Sequence, residues 1–302
     1  MFTSRKILAA GVALIATAAL TGCGGGGNPL EDPTGDSEVD QSKIVIGSQT
    51  YYSNEIVAEI YAQALENAGF EVDRQFNAGQ RDAYMPDVES GAITLFPEYT
   101  GNLLEYLDPE ATATSSDDVY AALQKALPEG LTALDYAEAS DQDTYTVLKS
   151  FAEEHGLTTI ADLSKLKTQP VLGGAPELQE RPYGPAGANK VYGVDIGFSA
   201  TADATLDALL QGQVQVADIY TASPAFQTEE IVALEDPESM ILASNVVPIV
   251  SKGTAPSISE VINKVSAALS AEDLVNMNVQ STVDKLSTPD IATEWLKEKG
   301  LN

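Results

Sequence analysis

The N-terminal half of the chain alternates short apolar runs with amphipathic segments, and this alternation constrains the fold more than any other feature. The run from Lys43 to Gly47 predicts a buried strand that ends in a turn. An apolar stripe over 56–65 predicts a helix, with Ser53 as its N-cap and Gly69 at its C-terminal end. A strand, a helix and another strand are predicted at 70–76, 81–90 and 92–96. Such alternation favours an α/β fold with a parallel sheet and a ligand site at the carboxyl ends of its strands.

The second half of the chain shows a similar mixture of elements. Helices and strands are predicted near 147–155, 159–166, 171–172, 203–211, 214–220 and 245–250, with helices from Pro256 onward. A stretch rich in Gly and Pro runs from Gly173 to Gly187. The ordered part of the chain is longer than one average domain, and two lobes are therefore expected.

The single cysteine of the chain, Cys23, closes the run Leu20-Thr21-Gly22-Cys23, which resembles the lipobox of bacterial lipoproteins. Two basic residues, Arg5 and Lys6, precede an apolar run of 14 residues over 7–20. That run is short for a membrane-spanning helix and is typical of a cleaved signal peptide. We therefore expect residues 1–22 to be removed and the mature chain to carry lipid on Cys23, which anchors it to the outer face of a membrane.

The residues that follow Cys23 are predicted to form a flexible linker over 23–42, because they are rich in Gly, Pro, Ser and acids. Loss of the signal peptide removes two of the 16 basic residues and none of the 45 acidic ones, which leaves a net charge of −31. This charge argues against nucleic acid or anionic lipid as a partner. An acidic surface can steer cations toward a site, but it also simply keeps an exported protein soluble.

Sequence motifs of catalysis are absent from the chain. It contains no G-x-S-x-G elbow, no Walker sequence and no H-E-x-x-H, and its one histidine, His155, falls at a predicted helix end. With Cys23 as the only cysteine, no disulfide and no thiolate metal site are expected. We expect a protein that is not an enzyme and that needs no cofactor or metal. A hydrolase with paired carboxylates stays open, because acids are abundant.

Six segments occur in an order that points to a known family: IVIGSQTYYSNEIVAEIYAQALENAGF, SGAITLFPEYTGNLLEYL, DQDTYTVLK, PELQERPYGPAG, LLQGQVQVADIY and NVVPIV. Together they resemble the substrate-binding lipoproteins of ABC transporters that import glycine betaine, choline and carnitine. The resemblance covers residues 43–302, and its most specific element is the motif Pro97-Glu98-Tyr99-Thr100-Gly101.

The resemblance implies an α/β, two-lobed periplasmic-binding-protein (type II) fold with a hinge between the lobes. Lobe 1 would comprise 43–145 and the returning segment 247–302, and lobe 2 would comprise 146–246. It implies an extracytoplasmic monomer that captures a small quaternary amine or zwitterion and delivers it to an ABC permease. An amino acid or a thiol-imidazole betaine is the alternative ligand, and a surface lipoprotein outside transport, such as an adhesin, is the alternative function.

A trimethylammonium group has no N–H donor, so aromatic faces are expected to hold it by cation–π contacts. By position in the motifs, the resemblance assigns Tyr99, Tyr145 and Tyr220 to such a cage. Half-buried packing is the competing interpretation for each ring. That interpretation is adopted for the tyrosines inside predicted helices, namely Tyr61, Tyr106 and Tyr120.

The resemblance also assigns residues to the polar end of the ligand. Arg181 is expected to contact a carboxylate, with a surface ion pair to Glu180 as the competing interpretation. Gln49 stands where relatives often have lysine, which weakens the expectation of an anionic group. Asp82 and Asn102 fall at positions that tune the ligand, and Asp82 would favour a cation without a carboxylate, such as choline.

One position departs from the family pattern. Ser244 stands four residues before Pro248, where many relatives have a fourth cage tyrosine. The cage is therefore expected to have three walls, unless Tyr51 or Tyr183 supplies another.

Overall fold

A computed structural model describes residues 44–302, and the predicted signal peptide, Cys23 and linker lie outside the described residues. The strands are β1 (Ile44–Gly47), β2 (Val72–Gln75), β3 (Leu95–Tyr99), β4 (Leu131–Ala133), β5 (Tyr145–Leu148), β6 (Val171–Gly174), β7 (Gly197–Ala200), β8 (Val216–Asp218), β9 (Ile231–Ala233) and β10 (Val246–Ser251). The α-helices are α1 (Tyr52–Asn67), α2 (Arg81–Ser90), α3 (Thr100–Leu107), α4 (Ser116–Ala126), α5 (Lys149–His155), α6 (Pro185–Tyr192), α7 (Thr205–Leu210), α8 (Ala225–Thr228), α9 (Ala255–Ala268), α10 (Ala271–Thr282) and α11 (Thr288–Lys299). Short 3₁₀ helices cover Ile160–Lys165, Pro176–Glu180 and Ala202–Ala204.

The strands form two five-stranded sheets, and each sheet is the centre of one lobe. The first sheet has the order β2-β1-β3-β10-β4, and the second has the order β7-β6-β8-β5-β9. Strands β1 and β6, each second in its sheet, pair in parallel with both neighbours, while β10 and β5 are antiparallel to theirs. The predicted two-lobed α/β fold is confirmed.

Two crossing segments, 134–144 and 234–245, connect the lobes. They run beside each other in antiparallel directions, since Ser140 forms an isolated bridge with Asn245. The backbone N–H of Val246 donates to the Ala139 carbonyl over 2.9 Å, and the N–H of Ala137 donates to the Val246 carbonyl over 2.8 Å. The passage between the lobes is therefore a hydrogen-bonded pair of backbones.

Local sequence signals explain most element boundaries, with two corrections. Ser115 caps α4, because its side chain accepts from the Asp118 backbone N–H. The N-cap of α1 is Tyr51 and not Ser53, and its side chain makes no capping hydrogen bond. Strand β3 continues through Pro97, where the sequence predicts its end. Pro97 lies opposite Pro248 of β10. The Pro97 carbonyl accepts from Asn54 Nδ2 and the Pro248 carbonyl from the Leu134 N–H, both over 2.9 Å. Both carbonyls thus point away from the facing strand, so the missing N–H groups remove no hydrogen bond between β3 and β10.

The C-terminal helices complete the first lobe. Ile291, Trp295 and Leu296 of α11 are buried in one apolar core, where α11 packs against α1 and α10. Between residues 44 and 302, no helix combines the length and the apolar character needed to cross a bilayer.

Candidate ligand site

A cavity lies between the two lobes, beside the crossing segments. Its walls come from the carboxyl ends of four strands, because Gln49 follows β1, Tyr99 ends β3, Ala175 follows β6 and Tyr220 follows β8. Its lining residues are Gln49, Tyr51, Gln80, Arg81, Tyr99, Asn102, Asp141, Asp143, Ala175, Glu177, Leu178, Arg181, Tyr183, Asp218 and Tyr220. The position agrees with the site expected from strand and helix alternation.

Three tyrosine rings form one wall of this cavity, and Tyr51 is the middle one. Its ring centroid lies 6.3 Å from that of Tyr99, with an interplanar angle of 26°. It lies 5.8 Å from that of Tyr220, with an angle of 34°. Tyr99 is 3% exposed and Tyr220 is 36% exposed, so the wall extends from the interior to the cavity mouth. The aromatic wall, as we call these three rings, offers the faces that a quaternary ammonium needs.

Tyr145, the third ring assigned to the cage, lies outside the cavity. It pairs with Asp218 across β5 and β8, but its ring is buried in the core of the second lobe. Its hydroxyl donates to the Tyr183 carbonyl over 2.8 Å. Tyr145 therefore supports the backbone that carries Tyr183, a cavity residue, and Tyr51 takes the place expected of it in the wall.

Of the other residues that the resemblance assigns to the site, three line the cavity and one does not. Gln49, Asn102 and Arg181 line the cavity. Asp82 lies on the exposed face of α2 beside Tyr106, because the helix turns its carboxylate away from the cavity while Arg81 faces inward. Among the ion pairs of residues 44–302, none joins Arg181 to Glu180.

Asn102 connects the two lobes through its side-chain amide. Its Nδ2 donates to Asp143 Oδ2 over 2.6 Å and to the Tyr183 hydroxyl over 2.9 Å. Its Oδ1 accepts from the Ser244 hydroxyl, which fixes the amide orientation. Ser244 is 1% exposed and sits behind Asn102. A tyrosine at position 244 would need the space that this hydrogen-bonded network occupies.

Glu98, in the motif from Pro97 to Gly101, forms a buried hydrogen-bonded cluster beside the cavity. Glu98 accepts from Arg81 Nε and Nη2, both over 2.8 Å, and from the Tyr84 hydroxyl. Glu98 also accepts from the Tyr99 backbone N–H over 3.0 Å. Glu98 and Arg81 are 1% and 6% exposed. This buried pair therefore holds Arg81 beneath the cavity and fixes the backbone that carries Tyr99.

Thr100 and Gly101 join the motif to the second crossing segment. The Thr100 hydroxyl accepts from the Asn245 N–H over 3.0 Å and donates to the Ala243 carbonyl over 3.1 Å. A Cβ at Gly101 would lie 2.8 Å from the same carbonyl oxygen, closer than carbon and oxygen approach without strain. Only glycine lets α3 begin this close to the crossing segment.

Three aspartates that the sequence-based assignment missed give the cavity its electrostatic character. Asp141, Asp143 and Asp218 all line it. Burial raises the pKa of Asp141 to about 7, and the Asp143 carboxyl adds to the rise. Burial and the Asp143 carboxyl raise the pKa of Asp218 well above its usual range. Burial, then Asp143, also raises the pKa of Glu105, which lies behind the cavity, to about 8.

A signal for these aspartates was present in the sequence. Asp143 stands two residues before Tyr145, and Asp218 stands two residues before Tyr220. The resemblance assigns only the tyrosine of each motif to the site. Because strand ends gather at one edge of the sheet, a carboxylate near each tyrosine was also a candidate for the site. Among residues 44–302, no cluster of His, Cys, Asp and Glu has an arrangement that could hold a metal ion.

Comparison with known proteins gives one consistent result. Residues 42–298 match the family described as the substrate binding domain of ABC-type glycine betaine transport system. The glycine betaine-binding protein YehZ of Escherichia coli K12 is 25% identical over 278 residues, which cover 86% of this chain and 91% of that protein.

Solved structures show the same fold. A glycine betaine/carnitine/choline ABC transporter structure aligns with a TM-score of 0.71 at 18% identity, over 85% of this chain and 99% of that one. The lactococcal OpuAC structure, closed with glycine betaine, aligns with a TM-score of 0.62 at 15% identity, over 85% of this chain and 96% of that one.

Proposed function

Because this chain belongs to the family of substrate-binding domains of ABC-type glycine betaine transport systems, we propose that it captures a quaternary amine outside the cytoplasm and delivers it to an ABC permease. The observation that carries the proposal is the meeting of the aromatic wall with Asp141, Asp143 and Asp218 in one cavity between the lobes. Ring faces and carboxylates together suit a cation that has no N–H donor. The protein acts as a receptor and performs no catalysis.

Each cavity group has a place in this proposal. Tyr51, Tyr99 and Tyr220 hold the trimethylammonium group, and Asp141 supplies negative charge beside them, since its charge acts on Tyr51 and Tyr99. Gln49, Asn102 and Arg181 orient the polar end of the ligand. In this arrangement Asp82 and Tyr145, the two residues outside the cavity, do not contact the ligand.

Removal of one ring from the aromatic wall tests the proposal. Tyr99→Ala and Tyr51→Ala are each expected to weaken binding of the best quaternary amine by about tenfold, because a cation–π contact contributes about 1–2 kcal/mol in a desolvated site. Tyr99→Phe keeps the ring and is expected to change affinity much less. Isothermal titration calorimetry measures these effects.

Tyr136→Ala is the matched control, since Tyr136 packs on Tyr120 outside the cavity. A wild-type affinity in both cavity alanine variants would rule out the aromatic wall as the binding surface. Choline, glycine betaine, carnitine, proline and ergothioneine are titrated in parallel. A preference for either of the last two would replace the quaternary amine with an amino acid or a thiol-imidazole betaine.

We also propose that Cys23 carries the lipid that tethers the receptor to the membrane surface, on the grounds of the run Leu20-Thr21-Gly22-Cys23. Cys23→Ala removes the acylated thiol, so the variant is expected to leave the membrane fraction during detergent-free fractionation. Cys23→Ala that sediments with membranes as the wild type does would contradict the anchor.

A further inference from the structure

The aromatic wall is built from both lobes. Tyr51 and Tyr99 belong to the first lobe, because Tyr51 precedes α1 and Tyr99 ends β3, whereas Tyr220 follows β8 of the second lobe. The ring centroids of Tyr51 and Tyr220 nevertheless lie only 5.8 Å apart. The wall is therefore complete only where the turn that carries Tyr220 is held against the first lobe.

This turn enters the core of the first lobe. Tyr220 is the first residue of a β-turn, since the Ser223 backbone N–H donates to the Tyr220 carbonyl over 2.9 Å. Ala222, the third residue of the turn, is 1% exposed and is part of the apolar core of the first lobe. A residue of the second lobe is thus buried in the first, and its backbone polar groups need partners there.

Side chains bind both backbone groups of Ala222. Its N–H donates to Asp141 Oδ1 over 3.0 Å, and its carbonyl accepts from Asn278 Nδ2 over 3.0 Å. Asp141 belongs to the first crossing segment, whereas Asn278 lies on α10. The hydrogen bond from Asn278 therefore joins the turn directly to a helix of the first lobe.

The same amide nitrogen also reaches the segment behind the Tyr51 ring. Asn278 Nδ2 donates to the Ser53 hydroxyl over 3.4 Å. Ser53 stands two residues after Tyr51, and Ala222 stands two residues after Tyr220. One side chain thus links the two backbone segments that carry adjacent rings from opposite lobes.

Asn278 occupies its position at a cost to the fold. It is 1% exposed, its buried neighbours on α10 are the apolar Leu274 and Met277, and none of residues 44–302 hydrogen-bonds its Oδ1. A buried amide oxygen without a partner is unfavourable, and a leucine of similar branched shape would avoid that cost. Asn278 is also not among the residues that line the cavity. The contacts of its nitrogen, and not packing or ligand contact, therefore explain an asparagine here.

We infer that Asn278 is a positioning residue for ligand capture: from outside the cavity, its amide holds the Tyr220 ring beside the Tyr51 ring and so completes the aromatic wall. The inference rests on the proposed function and adds a residue to the same site. Without the amide, the Ala222 carbonyl has no donor in the core of the first lobe. The turn is then expected to shift until water reaches this carbonyl, and the Tyr220 ring moves with the turn.

The expected effect on binding has an upper limit. Because Asn278 acts through the Tyr220 ring, its loss weakens binding no more than loss of that ring, which is about tenfold for a cation–π contact in a desolvated site. We expect Asn278→Ala to weaken choline binding by about threefold to tenfold. Asn278→Leu, which keeps the volume and lacks the donor, should weaken it as much and leave the midpoint of urea unfolding close to that of the wild type.

Isothermal titration calorimetry with choline chloride and with glycine betaine tests this role in a double-mutant cycle. The four proteins are the wild type, Asn278→Ala, Tyr220→Ala and the double variant. Once Tyr220 is alanine, Asn278→Ala should change affinity little, because the ring that it positions is gone. A residue that only stabilised the fold would have the same effect in both backgrounds.

Asn276→Ala is the matched control, because Asn276 lies on the exposed face of the same helix, and it should bind as the wild type does. Asn278→Leu replaces Asn278→Ala in the cycle if the alanine variant does not fold. Wild-type affinity in folded Asn278 variants, or an equal loss with and without the Tyr220 ring, overturns the positioning role and leaves the proposed function intact. Failure of both ligands to bind the wild type overturns the proposed function as well.

Discussion

Glu98→Ala is expected to lower the free energy of unfolding by about 3–5 kcal/mol, because it leaves the Arg81 guanidinium buried without a counter-charge. The pair is 7% and 1% exposed at its two side chains, and the bond from Arg81 Nε spans 2.8 Å. Glu98 also accepts from Tyr84 and from the Tyr99 backbone, so three donors lose their acceptor together. Urea unfolding followed by circular dichroism measures the loss.

The matched control for Glu98 is an exposed pair on α9. Glu260→Ala breaks the ion pair with Lys264 on the helix surface, where solvent already screens both charges, and no measurable change is expected. Arg81→Met combined with Glu98→Leu removes both charges and should recover part of the stability. Equal stability of the Glu98→Ala and Glu260→Ala variants would show that the buried Arg81–Glu98 ion pair does not stabilise the fold.

Asp141→Asn is expected to stabilise the protein at pH 8 by up to about 4 kcal/mol, since each unit of pKa shift corresponds to about 1.4 kcal/mol. Burial raises the pKa of Asp141 to about 7, so the folded state holds this proton more tightly than the unfolded state does. The wild type therefore loses stability as pH rises from about 4 to 7, and the loss is complete above that range. Asparagine still accepts from the Ala222 N–H, which donates to Asp141 over 3.0 Å.

Unfolding curves of wild type and Asp141→Asn at pH 4.5 and pH 8 check this prediction, with Asp203→Asn as the exposed control. The two proteins should differ little at the lower pH and most at the higher one. The same substitution should weaken choline binding, because a carboxyl beside the aromatic wall is lost. Equal stability of the two proteins at pH 8 would mean that the buried, ionised Asp141 does not destabilise the fold. Asp141 would then not trade stability for ligand binding.

The sequence predicts the elements of this fold well because the apolar periods of strands and helices are local properties. It predicts the region of the site too, since five assigned residues lie at or just beyond strand ends, in the first turn of α3 or in a loop, and all of them line the cavity: Gln49, Tyr99, Asn102, Arg181 and Tyr220. The sequence does not predict the direction in which a side chain points. Tyr145 occupies a strand start but turns its ring into the core. Packing between distant segments decides which ring faces the cavity. The local pattern of apolar residues does not predict it.

The same limit explains the aspartates and Ser244. Asp143 and Asp218 are 75 residues apart in the sequence and become neighbours only through the crossing segments and the pairing of β5 with β8. From its position alone, Ser244 predicts a cage that lacks its fourth aromatic ring. In the structure its hydroxyl is what fixes Asn102, and through it Asp143. These roles depend on hydrogen bonds between residues that are far apart in the sequence, and no local sequence pattern predicts such bonds.

Because the two crossing segments lie side by side, the chain enters and leaves the second lobe at neighbouring positions. The second lobe begins at β5 and ends at β9, and these strands are antiparallel neighbours with Thr146 opposite Ala233. Its entry and exit thus lie about one strand spacing apart, near 4.8 Å. The second lobe is an insertion whose two ends meet. Asp218, Tyr220, Arg181 and Tyr183 all lie on this one insertion, so exchange of the single stretch between β5 and β9 would replace these cavity residues together and leave the first lobe unchanged.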